Sequence, residues 1–169
     1  LYVAQSTELP PRRLVDFSYG WEGRALELKE ILGIGFDWHD RWETLSHGER
    51  KRLQIAVALW LLPPILAVDE PTNHLDAPAR ARVEHALTTY EGVGLLVSHD
   101  RGLLDRVTER TLVVGYGSIV LRRGSVTHAA AEEKREQLEQ QRSRRDAERS
   151  RSALLVEQRR RLDRAEKRS

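Results

Sequence analysis

The chain has 169 residues, no cysteine, 40% hydrophobic residues and a formal net charge of +2. That length supplies one domain core and hardly two, and the lack of cysteine excludes a disulfide framework and fits a reducing, cytoplasmic compartment. The longest apolar run, residues 55–62, is stopped by Pro63-Pro64 and is far too short to span a bilayer, so no membrane insertion is expected.

The chain opens mid-strand, in Leu1-Tyr2-Val3-Ala4, with no secretory leader expected. Residues 12–17 and 24–32 have helical character, and Gly33 and Gly35 end the second helix. A third helix is expected to start at Ser46. Ser46 is a good N-cap, Glu49 three residues on completes a capping box, and Leu53, Val57 and Trp60 recur toward a core at helical spacing. A helix start also offers free backbone N–H groups to an anion.

Residues 65–68, Ile-Leu-Ala-Val, suit a strand buried on both faces of a parallel sheet, and Pro71 ends it. In such sheets ligands bind beyond the carboxyl ends of the strands, where Asp69 and Glu70 fall. An aspartate there can hold Mg²⁺, and a glutamate beside it can take a proton from a water attacking a phosphate. The bland alternative is a pair of carboxylates capping a strand. A second apolar strand, 93–97, runs into Ser98-His99-Asp100, so two strands end in polar groups. His99 can hydrogen-bond a γ-phosphate or the attacking water. A short helix, 101–107, and a hairpin of strands 111–114 and 118–121 follow, with Gly115-Tyr116-Gly117 as the turn.

From Glu132 onward there are 13 basic and 9 acidic residues, net +4, against −2 for residues 1–131. This tail has no proline or glycine, and Leu138, Leu154, Leu155 and Leu162 make a thin stripe near heptad spacing. It reads as a solvated helix of roughly 55 Å. It is either a coiled-coil strut or an arm whose arginines, Arg142, Arg144, Arg145, Arg149 and Arg159 to Arg161 among them, meet RNA phosphates.

Between Leu45 and Arg101 these residues resemble the ATP-binding cassette (ABC) ATPases, and more narrowly the ABC-F group, whose members carry two cassettes in one chain and no membrane domain. The wording Asp-Glu-Pro-Thr-Asn-His-Leu-Asp over 69–76 is typical of that group. The resemblance implies an α/β fold: a partial P-loop-NTPase-like cassette with parallel core strands and a helical signature subdomain, followed by a long charged helix. It implies a cassette portion over 1–126, with the helical subdomain near 8–60 and the Walker B to switch region over 61–126, then a helical linker or coiled-coil arm over 127–169. Residues 45–49 would be the signature motif, 65–70 the Walker B strand, 73–76 the D-loop, His99 the switch histidine and Gln5 the Q-loop glutamine.

By the same resemblance two cassettes close head to tail on ATP and Mg²⁺. Glu70 would be the general base, with His99 sensing the γ-phosphate, and Asp69 and Gln5 would serve the metal. Gln5 would also bind nucleotide; Ser46, Gly48 and Glu49 would serve the opposite site, and Asp76 would make contact across the dimer. The expected partners are a second cassette and, through the arm, the ribosome with its rRNA or tRNA. The alternatives are the ATP-binding subunit of a membrane transporter, or a non-enzymatic fragment that binds RNA or pairs with a cassette.

Two departures from the family stand out. No G-x-x-x-x-G-K-[ST] loop is present, since none of the four lysines, Lys29, Lys51, Lys134 and Lys167, follows a glycine. The chain is therefore expected to be the back half of a cassette, unable to hydrolyse ATP by itself. The second departure is His47, where the family usually has glycine; the imidazole either crowds an approaching phosphate or adds a donor.

Overall fold

The structure, a computed structural model, describes residues 1–115, 118–124 and 138. The chain divides into two units, Leu1–Val126 and Thr127–Ser169. The tail helix expected from Glu132 onward, Leu138 excepted, and Tyr116-Gly117 of the hairpin turn lie outside the described residues.

Unit one has a three-stranded parallel sheet in the order β1 (Tyr2–Val3), β2 (Ile65–Asp69), β3 (Val93–Val97). Five helices accompany it: α1 (Leu14–Ser18), α2 (Gly23–Leu32), α3 (His47–Trp60), α4 (Ala77–Thr88) and α5 (Arg101–Val107). A 3₁₀ turn, Trp42–Thr44, precedes α3, and β4 (Arg110–Gly115) and β5 (Ser118–Arg123) form an antiparallel hairpin. This is the mixed α/β architecture that the motifs implied. Neither α4 nor the 3₁₀ turn was expected from sequence, although Asp76 caps α4 through a 2.8 Å bond from Ala79 N–H and a proline sits in its first turn.

The ends of the expected helices follow their local chemistry. Gly33 stops α2 at φ 60°, in the left-handed region that glycine enters freely, and Ile34 N–H closes onto the Lys29 carbonyl at 2.8 Å. Two cations cover the remaining carbonyls there. Arg52 donates to Leu32 and Gly33 at 2.7 and 3.1 Å, and Arg82 to Glu30 and Ile31 at 3.2 Å each.

The core gathers Phe17, Leu28, Leu32, Leu53, Ile55, Leu59 and Val83 from the helices onto Val3, Leu66 and Val68 of the sheet. Each such side chain contributes about 1.5–3 kcal/mol of burial. Leu53 and Val57 of α3 are buried and Trp60 is half-buried against Phe17, as expected, and Ile55, Ala56, Ala58 and Leu59 are buried as well because α3 lies between α2, α4 and the sheet. One expectation needs correction: β2 is buried on one face only. Leu66 and Val68 point into the core, but Ile65 is 54% exposed, as are its cross-strand neighbour Val93 and then Leu95 and Val97 to similar degrees. Among the described residues the helices cover one side of the sheet, and the opposite apolar face is open.

Candidate functional site

The parallel register decides which side chains meet at the carboxyl end of the sheet. Tyr2 pairs with Ala67 and Val97 with Asp69, so Tyr2, Ala67, Asp69 and Val97 share the open face, while Val3, Val68 and Leu96 face the core. Tyr2 and Asp69 are diagonal neighbours on that face. The Tyr2 hydroxyl donates to Asp69 Oδ2 at 2.9 Å, and donating to that carboxylate holds the phenol pKa above its ordinary value.

Glu70 leaves the strand at φ 44°, a left-handed conformation that costs a non-glycine residue about 1–2 kcal/mol. Main-chain bonds hold it there: its N–H donates to the Val97 carbonyl at 2.8 Å, and its carbonyl accepts from Asn73 N–H at 3.3 Å. The turn directs the carboxylate toward the end of β3. Glu70 is 7% exposed, and its oxygens accept from Ser98 Oγ at 3.3 Å and from the His99 N–H at 3.1 Å. His99 Nε2 lies 3.7 Å from Glu70 Oε1, with the imidazole itself open to solvent. Below the sheet, α3 sends up Lys51. This lysine is 2% exposed and donates to the Ala4 carbonyl at 2.7 Å and the Asp69 carbonyl at 2.8 Å. Burial pulls its pKa down to about 8, against the attraction of the Asp69 and Glu70 carboxylates.

A second group lies at the start of α3. Ser46 and Glu49 form the full capping box: Glu49 N–H donates to Ser46 Oγ at 3.3 Å, while the Ser46 N–H and hydroxyl both donate to Glu49 Oε2 at 2.8 Å. Burial pushes the Glu49 carboxyl up, but these bonds, with Arg41 and Arg52 nearby, outweigh it and carry the pKa below the ordinary value. Gly48 is required by close approach: a Cβ there would lie 3.0 Å from the His74 carbonyl and 3.1 Å from Leu75 Cδ2. His47 places Nδ1 2.8 Å from the hydroxyl of buried Thr7 and its ring 5.6 Å from that of His74.

The sequence-derived residues thus fall in two groups. Glu70 and His99 are together, with Asp69 one residue back on the open face and Gln5 exposed just past the end of β1, at the same end of the sheet. Asp69 accepts from Tyr2 rather than from Gln5. Ser46, Gly48 and Glu49 meet the turn that ends at Asp76, through the Gly48 and His74 contact. Sequence reasoning missed Lys51, Tyr2 and the Thr7 to His47 bond. Lys51 had a signal, since it stands four and eight residues before buried Ile55 and Leu59, on their face of α3.

The donor set bears on the metal that a cassette implies. Among the described residues no three His, Cys, Asp or Glu converge on one point. A lone carboxylate, Asp69, with the Gln5 amide past the neighbouring strand, fits Mg²⁺, which takes one or two protein ligands and completes its shell with phosphates and water. Also among the described residues, no helix is long and apolar enough to cross a membrane.

Comparisons with known proteins bear on the family and the fold. The family described as ABC transporter matches residues 2–73. ATP-binding protein Uup of Caulobacter vibrioides is 38% identical over 111 residues, 65% of this chain and 18% of that protein. The energy-dependent translational throttle protein EttA of Haemophilus influenzae is 39% identical over 105 residues, 62% of this chain and 19% of that protein. The chain therefore spans less than a fifth of either relative. A solved structure of RNase-L Inhibitor superposes with a TM-score of 0.57 at 28% identity, over 73% of this chain and 26% of that one. Family match, relatives and fold converge on the ABC ATPases, and the chain is similar to part of a cassette of the ABC-F kind.

Proposed function

We propose that this chain is the back half of an ATP-hydrolysing cassette in a protein that acts on the ribosome. The observation that carries the reading is the hold that Ser98 and His99 keep on the Glu70 carboxylate at the ends of two adjacent parallel strands. Glu70 is the general base: it is oriented by two donors and lies beside the imidazole that contacts the γ-phosphate. It takes the proton of the attacking water as the water oxygen bonds to γ-phosphorus and the bond from γ-phosphorus to the β,γ-bridging oxygen breaks, ADP leaving with that oxygen and its electron pair. Asp69 and Gln5 would hold Mg²⁺, which would neutralise charge on the phosphates.

Ser46, Gly48 and Glu49 present the start of α3 to the nucleotide of a facing cassette, and Asp76 and its turn meet that cassette. For the Ser46 hydroxyl to donate to a phosphate it must leave Glu49 Oε2. The open apolar face of the sheet fits packing against the phosphate-loop half of the cassette. This chain, whose sequence holds no such loop, does not hydrolyse ATP by itself. The segment 127–169 binds ribosomal RNA through its surplus of arginine, a reading favoured by its net +4 charge and by a relative named as a translational throttle.

Sedimentation separates this from the transporter reading: the full-length protein should travel with ribosomes in ATP, and recovery in the membrane fraction would overturn it. In the same protein, His99→Ala should lower turnover about tenfold or more while ATP still binds. Unchanged turnover would remove His99 from the site.

A further inference from the structure

Strands β1 and β2 are last paired at Val3 and Val68, and the next residue on each strand, Ala4 and Asp69, turns its carbonyl to Lys51 instead of to a neighbouring strand. One buried ammonium therefore bridges the gap where the two strands part. The two carbonyls are not equivalent to others in the sheet. Ala4 immediately precedes Gln5, and Asp69 immediately precedes Glu70, so the peptides that lead into both proposed site residues are anchored on one side chain.

Lysine suits the position. Its stem runs along the core face of α3 that also carries Ile55 and Leu59, and its charged head strengthens each bond to a carbonyl. The Glu70 backbone needs this anchor, because its φ of 44° persists only if the groups on both sides are fixed. Val97 and Asn73 fix it from the β3 side and from the turn. Lys51 fixes it from the helix side.

We infer that Lys51 is a positioning residue for hydrolysis, holding Gln5 and Glu70 in place from the helix whose start is Ser46. The inference rests on the cassette reading above. Its consequence is a link between the two groups of site residues: Lys51 lies five residues, roughly 7.5 Å along the helix, from Ser46, so displacement of α3 by a phosphate at its start bears directly on the general base.

The test uses the full-length protein with Lys51→Met, Lys51→Arg and, in parallel, Glu70→Gln, with kcat and KM for ATP measured for each. Lys51→Met should lower kcat tenfold or more, since the base is misplaced, and any rise in KM from a displaced Gln5 comes only together with that loss of kcat. Lys51→Arg, which keeps charged donors, should recover part of kcat. If Lys51→Met keeps kcat within twofold while Glu70→Gln abolishes turnover, the inference falls and the cassette reading stands. A rise in KM at constant kcat would equally overturn it. If Glu70→Gln turns over like the parent, both fall. Should Lys51→Met not fold, Lys51→Gln, which keeps a neutral donor on a shorter stem, is judged by the same split of kcat from KM.

Discussion

At the scale of single residues, the least expected feature is a lysine in the core. At 2% exposure Lys51 is as buried as its aliphatic neighbours, and burial is the main reason its pKa falls to about 8. The linkage to stability has a definite sign. Below pH 8 the group is charged in folded and unfolded chain alike, so the cost of burying the charge is fully present. Between about pH 8 and the ordinary lysine value of 10.5 the unfolded chain binds the proton and the folded chain does not, so stability rises with pH; above that it levels off. Without Mg²⁺ present, the stability of the parent relative to Lys51→Met should increase from pH 8 to pH 10 in denaturant titrations. A difference that is flat over that window would contradict the burial of the charge. Sequence hid this residue because lysine in a run such as Glu49-Arg50-Lys51-Arg52 looks like one of several solvated cations. Only its i+4 relation to Ile55 and Leu59 marks it as different.

At the scale of elements, legibility followed local chemistry. The start of α3 at Ser46, the stop of α2 at Gly33, the strand from Val93 to Val97 and the short α5 after Asp100 all match expectation, because caps, glycine and apolar runs act within a few residues. Helix α4 was missed although Asp76 and the proline after it are ordinary start signals; its buried Val83, Ala86 and Leu87 are interleaved with arginine, glutamate and histidine, so no clear stripe stands out. The capping box of α3 carries a prediction at this scale. Ser46→Ala removes the acceptor for Glu49 N–H and a donor to its carboxylate, and should cost roughly 1 kcal/mol in denaturant-induced unfolding. A cost near zero would mean that Glu49 caps the helix unaided through its bond from the Ser46 N–H.

At the scale of the whole molecule, the sheet was legible in its direction and its polar ends but not in its burial. An apolar strand of four or five residues reads as buried on both faces, yet α3 and α4 cover one face, and Ile65, Val93, Leu95 and Val97 stand on the other. That open face is the surface that the proposed packing against a further part of a cassette would cover. The candidate site residues were legible where they stand next to each other in sequence, as in Asp69-Glu70 and Ser98-His99. It was not legible where the fold joins distant segments, as Lys51 joins Ala4 and Asp69, or Tyr2 reaches Asp69. The proposed role of Glu70 is tested first by ATP turnover and ATP binding in the full-length protein and its Glu70→Gln variant: if Glu70 removes the proton from the attacking water, binding is unchanged and turnover falls by roughly a hundredfold or more, whereas equal turnover in the two proteins would exclude Glu70 as the base.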